Sequence, residues 1–165
     1  MTPITIDAED LVMAFENHDA YVCHFLDRES GNVFFIHEDY SDEEDRERLE
    51  IEPDRYVLIE PLRSSASYQI MQDFADTLPR GTVQAELTLA LEEHRPFRRF
   101  KDTLSKYPSA RDDWFRFHER AVLAIAQDWL AAHQVDAVVK RMTAEGVEPR
   151  DGEGAGTLAG KDADG

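Results

Sequence analysis

The stretch Tyr21-Val22-Cys23-His24-Phe25-Leu26-Asp27-Arg28-Glu29-Ser30-Gly31-Asn32-Val33-Phe34-Phe35-Ile36-His37 decides the fold class. Residues 21–27 and 33–37 are rich in β-branched and aromatic side chains, which fit a pleated, half-buried surface. The five residues between them form a turn, with Gly31 able to supply the positive φ that a hairpin connection commonly needs. With Asp27 set opposite Val33, Cys23 lies opposite His37 on one face and His24 projects from the other. Two strands alone are marginal in water, and Arg55 to Glu60, stopped by Pro61, supplies a third.

Working outward, the apolar period changes from two to 3.6. Asp7 suits an N-cap before Leu11, Val12 and Phe15, so residues 7–18 read as a short helix. Ser64 or Ser65 caps a second segment with Tyr68, Ile70, Met71, Phe74 and Leu78, ended by Pro79-Arg80-Gly81. Thr82 to Glu93 repeats the pattern through Val83, Leu87, Ala90 and Leu91. Pro96 opens a segment in which Phe97, Phe100, Leu104 and Tyr107 share a side, and Pro108 terminates it. The last helix, Ala110 to about His133, carries Phe115, His118, Val122, Ile125 and Trp129 on one stripe, with Trp114, Phe117, Ala121 and Ala124 beside it. The expected fold is α+β: a small antiparallel sheet in the first third, covered on one face by a helical C-terminal part.

The chain has 165 residues and a formal net charge of −17, with 42% hydrophobic residues, nine Phe, five Tyr and two Trp. This suits one domain with its own core; a chain of this size buries roughly 68–70% of its unfolded surface without metal or disulfide. We place that domain at residues 1–141. Six of the eight glycines fall in residues 142–165, which carry six acids, two bases and almost no apolar side chains. The expectation there is a flexible acidic tail. Cys23 stands alone, no run approaches the roughly 18 apolar residues of a membrane span, and Met1 to Glu9 lacks the signature of a signal peptide. A cytoplasmic protein is expected, with no membrane association.

Two charge blocks oppose each other along the chain. His37 to Asp54 holds ten acids against Arg46 and Arg48; His94 to Arg120 holds eight of the 18 bases against four acids, with six aromatics. The first lacks the alternating oxygen ligands and the glycine of a calcium loop, so it reads as a solvated loop or helix face. Acidic proteins of this kind can also mimic a phosphate backbone and occupy a basic, nucleic-acid-binding partner, an idea resting on charge alone. The second block contains Arg95, Arg98, Arg99, Lys101 and Lys106. Helical spacing makes Arg98 and Lys101, and Arg95 and Arg99, neighbours suited to an anion or a partner protein, or to the chain's own acids such as Asp102.

Nucleotide-binding and hydrolase motifs are missing, and only Gly31 and Gly81 precede residue 142, leaving no glycine-rich phosphate cradle. Cys23 and His37 amount to two ligands at most, so neither a metal site nor a cofactor is expected, and Cys23 has no visible activating base.

The ordered segments Phe25-Leu26-Asp27, Tyr56 to Pro61, Met71-Gln72-Asp73-Phe74, Leu89-Ala90-Leu91, Phe97-Arg98-Arg99-Phe100-Lys101-Asp102, Tyr107-Pro108 and Trp114-Phe115-Arg116-Phe117 together resemble the bacterial uncharacterised protein family 0158. The resemblance spans most of residues 7–133. Where it implies a Gly-Lys-Gly-like turn, this chain has Glu92-Glu93-His94-Arg95-Pro96. It implies one bacterial domain and assigns no activity.

The functional expectation is a non-enzymatic protein-binding or regulatory domain, with Arg98, Arg99 and Lys101 as its polar patch. Nucleic-acid or nucleotide binding through residues 95–106 is the alternative, disfavoured by the net charge because such affinity comes mainly from phosphate neutralisation. An enzyme without a recognisable motif is a third reading, which a pocket of convergent ionisable groups would favour.

Overall fold

The structure is a computed structural model that describes residues 3–40 and 42–142. The chain runs β1 (Ile4–Asp7), α1 (Ala8–Glu16), β2 (Val22–Asp27), β3 (Val33–His37), α2 (Glu43–Ile51), β4 (Tyr56–Ile59), α3 (Ser64–Thr77), α4 (Thr82–Glu92), α5 (Pro96–Leu104), α6 (Pro108–Ala132) and β5 (Ala137–Lys140). The fold is α+β. Strand order in the antiparallel sheet is β3-β2-β4, so the first hairpin strand is its centre. The expected acidic tail lies, from residue 143 on, outside the described residues.

The hairpin register differs from the expected one by a residue: Leu26, not Asp27, faces Val33, and Cys23 faces Ile36 while Val22 faces His37. Asp27 ends β2, opposite Tyr56 on β4, and closes the turn, its N–H donating to the Asn32 carbonyl at 2.9 Å and its own carbonyl accepting from Gly31 N–H at 2.9 Å. The slip separates Cys23 from His37; His24, on the other face from Cys23, points inward with Leu26 and lies opposite Ile59 on β4. Burial pushes the His24 imidazole below its ordinary pKa. Leu26 and Ile59 join the helical core, whereas Cys23 and Leu58 on the other face are exposed.

Gly31 adopts φ +83°, and a Cβ built there would lie 2.3 Å from the Thr5 carbonyl oxygen. Gly31→Ala is expected to cost about 2 kcal/mol or more, combining the left-handed backbone with a displaced β1. Urea denaturation checks this, since a loss below about 0.5 kcal/mol would show that β1 yields freely.

α1 is capped as expected, by the Asp7 side chain accepting from Glu9 N–H. α3 is not: Arg63 occupies the N-cap without a side-chain hydrogen bond, and Ser64 is already helical. Pro108 does not close α5 but opens α6, at a first-turn position where its missing N–H costs nothing. Arg95 enters α5 in the left-handed region at φ 57°, a conformation that the glycine-bearing turn implied by the resemblance would adopt without strain.

The helical core is aromatic. Phe74, Phe100 and Trp114 meet in edge-to-face contacts with centroids 5.0–6.4 Å apart, and Phe15 meets Trp129 at 5.7 Å. α6 buries Ala110, Trp114, Val122, Ala126 and Leu130. Its inward arc is therefore centred beside the expected stripe, and Phe115 is 53% exposed. The acidic block forms α2, capped by Asp42 and burying no residue, with Glu43, Glu44 and Asp45 in the first turn where they complement the helix dipole. Two elements had no local signal: β1 and β5 pair in parallel, Ile4 opposite Ala137 through Asp7 opposite Lys140.

Candidate functional site

The basic residues expected to form one patch point in three directions. On α5, Arg98 turns outward toward Asp102 at 3.9 Å. Arg99 and Lys106 face the groove between α4 and α5, where Arg99 pairs with Glu93 at 3.1 Å and Lys106 with Glu86 at 2.8 Å. Arg99 Nε also donates to the His94 carbonyl, and the Tyr107 hydroxyl donates to Glu86. Hydrogen bonds from Lys106 and Tyr107 hold the Glu86 carboxyl below its ordinary pKa, outweighing its desolvation. Arg95 sits at the N-cap of α5. Lys101 departs from the others and lines a different cavity.

That cavity, about 440 Å³, lies where the end of α1, the start of α3, and α5 and α6 converge. Glu16 ends α1 and His18 follows it; Ser64 and Ser67 come from the first turn of α3, Lys101 from α5, and Trp114 and His118 from α6. Phe97, Phe115 and Met71 supply apolar wall. Helical spacing explains the α6 contribution: Trp114 and His118 are four apart and so share a face, their rings 5.0 Å apart.

Two of the polar groups hold each other and a third is fixed by backbone carbonyls. His118 Nε2 donates to Glu16 Oε1 at 2.5 Å, across 102 residues of sequence. Burial acts to raise the Glu16 carboxyl, but the His118 hydrogen bond and the charges of His118, His18 and Lys101 prevail and keep it below its ordinary value. The two ring nitrogens of His18 lie 2.9 Å from the Glu16 carbonyl and 2.7 Å from the Leu62 carbonyl, clamping the ring between α1 and the segment that leads into α3. One carboxylate, already engaged, thus faces an ammonium and two imidazoles beside an aromatic wall. Such a setting can accept the acidic group of a small molecule, and a carboxylate-oriented imidazole can also relay a proton.

Of the residues singled out in the sequence, only Lys101 lines this cavity. His118 was legible as a member of the α6 stripe, whereas Glu16 and His18 carried no signal beyond lying in the segment 7–18. Nothing local marked them as neighbours. Among the described residues, no group of three or more His, Cys, Asp or Glu side chains is placed to hold a metal ion, and no helix is long and apolar enough to cross a membrane.

The model of the Uncharacterised protein family (UPF0158) matches residues 1–148, a span that contains every residue of the cavity. The chain belongs to this family. A UPF0158 protein of Pseudomonas aeruginosa, PA5073, is 34% identical over 141 residues, covering 86% of this chain and 91% of that one. No solved structure matches. UPF0158 membership agrees with the resemblance carried by the Phe97–Asp102 stretch, and the family, described as uncharacterised, brings no activity with it.

Proposed function

We propose that this UPF0158 chain is a non-enzymatic, regulatory binding domain of the cytoplasm whose cavity takes a small amphipathic anion, a carboxylate or phosphate on an apolar or planar body. The observation that carries this reading is the convergence of Lys101, His18 and His118 with Trp114 and Phe97 in one concavity of a chain that is otherwise strongly acidic. The anionic group would meet the Lys101 ammonium and the Ser64 and Ser67 hydroxyls at the start of α3; the body would lie on the aromatic wall. Support for the reducing compartment comes from the single, exposed thiol of Cys23. Nucleic-acid binding through residues 95–106 draws less support, because Arg98, Arg99 and Lys106 each face an acid of the chain itself.

Titration with 8-anilino-1-naphthalenesulfonate, an anion on a planar apolar body, tests the reading. Lys101→Glu is expected to weaken binding roughly tenfold or more, about 1.4 kcal/mol. Arg98→Glu, on the outward face of the same helix, is expected to stay within about twofold of wild type. Near-ultraviolet circular dichroism verifies that both variants keep native packing, since partly unfolded states bind this dye on their own. Equal losses in the two variants, or none in Lys101→Glu, would refute the site. Competition by benzoate and by phenylphosphate then separates a carboxylate from a phosphate preference.

A further inference from the structure

A second concavity, about 560 Å³, opens where β3 runs into α2, and its lining is of a different kind: Phe34, Phe35, His37 and Tyr40 beside Asp42 and Asp45. The aromatic groups here are on the surface, Phe35 58% and Tyr40 84% exposed. His37 lies between two tyrosines, its ring 6.3 Å from Tyr21 and 4.8 Å from Tyr40. The platform is held in shape from behind. Arg46 of α2 donates to the carbonyls of His37 at 3.1 Å and Glu38 at 2.6 Å, and Glu38 N–H donates to the Tyr21 carbonyl at 2.8 Å.

The surrounding charge is one-sided. Residues 37–54 hold ten acids, and both of their bases are engaged, Arg46 as just described and Arg48 with Asp45 at 3.8 Å. Exposed aromatic faces attract a guanidinium or ammonium through their quadrupole, and adjacent carboxylates add the countercharge. A phosphate-bearing surface meets only repulsion there. From this juxtaposition we infer that the β3–α2 surface docks an arginine- or lysine-rich segment of a partner protein, its cationic side chains lying over Tyr40 and Phe35 and pairing with Asp42 and Asp45. The acidic block then serves recognition as well as solubility, and the net charge of the chain speeds encounter with such a partner.

Fluorescence polarisation of the full chain with fluorescein-labelled octa-arginine tests the inference. Tyr40→Ala with Phe35→Ala leaves the charge untouched and is expected to weaken binding at least tenfold at physiological salt. Asp42→Asn with Asp45→Asn, which keeps a capping side chain on α2, is expected to weaken it by a similar factor. Asp112→Asn with Asp128→Asn removes two exposed charges from α6, and is expected to change affinity less than twofold. Should the aromatic double variant disturb the fold by circular dichroism, Tyr40→Ala alone carries the test, since that side chain is 84% exposed. Absence of binding by wild type, undiminished binding by the aromatic variant, or equal loss in both Asp→Asn pairs would overturn the assignment and leave only diffuse charge attraction.

Discussion

Phe100→Ala is expected to remove about 3–5 kcal/mol of stability, enough to unfold much of the population if the wild type sits near the lower end of the usual range of about 5–15 kcal/mol. Phe100 is fully buried, and its ring meets Phe74 and Trp114 edge to face. Truncation loses the transfer free energy of the ring and leaves a cavity that α3 and α6 must collapse into. They can do so only partly, because Phe74 and Trp114 are each fixed by further neighbours: Phe117 packs on Phe74 and His118 on Trp114. Phe97, one turn earlier on α5 and only partly buried, is the internal comparison. Its alanine variant is expected to cost clearly less. Urea midpoints of the two variants decide the matter, and a Phe100→Ala cost below about 1.5 kcal/mol would mean that α5 is not anchored in the core as described.

Asp27→Ala carries the second large effect, about 3 kcal/mol, for a different reason. Asp27 is 5% exposed and its carboxylate accepts from Glu29 N–H at 2.8 Å and Ser30 N–H at 3.3 Å in the hairpin turn. It also accepts from Arg55 Nε at 2.8 Å and Nη2 at 2.9 Å, a two-point clamp from the residue that precedes β4. One side chain therefore closes the turn and ties the third strand to the hairpin. Burial acts to raise its pKa, but Arg55 and the turn amides prevail and hold the carboxyl well below the usual carboxylate range.

The pH dependence follows from that direction. In the unfolded chain an aspartate titrates near about 3.9, so on acidification the unfolded state takes up the proton first. The stability contributed by Asp27 is fully present above about pH 5 and is lost progressively below about pH 4, as the medium approaches the lower folded-state value. The gap in unfolding free energy between wild type and Asp27→Asn is accordingly expected to be widest at neutral pH and to narrow steadily from pH 4 to pH 2. A gap independent of pH would show that Asp27 acts only as a hydrogen-bond acceptor, not as a charge.

Lys101 and Phe115 show how far the candidate site could be read in advance. The Lys101 ammonium was recognisable as part of a basic cluster, but a 3.6-residue period cannot say which side of α5 looks into a cavity and which looks at α4. That depends on where α6 lies. Its inward arc runs through Trp114 and Val122 rather than Phe115, so Phe115 is left at the cavity mouth and His118 swings toward Glu16. The one-residue slip in the hairpin has a similar origin. The turn closes where the Asp27 side chain can hold it, and Arg55, 28 residues away, helps to fix that side chain in place.

By itself the sequence determined the kinds of element and their chain order from α1 to α6, with β1 and β5 left out: apolar period sets helix against strand, Gly31 and the prolines punctuate, and an α+β chain whose antiparallel sheet precedes the main helices follows from local steric and solvation preferences alone. Family membership also lies in the sequence. The tertiary structure decided which side chains meet. The parallel pairing of β1 with β5, the contact between Glu16 and His118 and the dispersal of the Arg–Lys cluster over three faces are all settled by long-range packing. The first two join residues far apart in the chain, and no local preference encodes them.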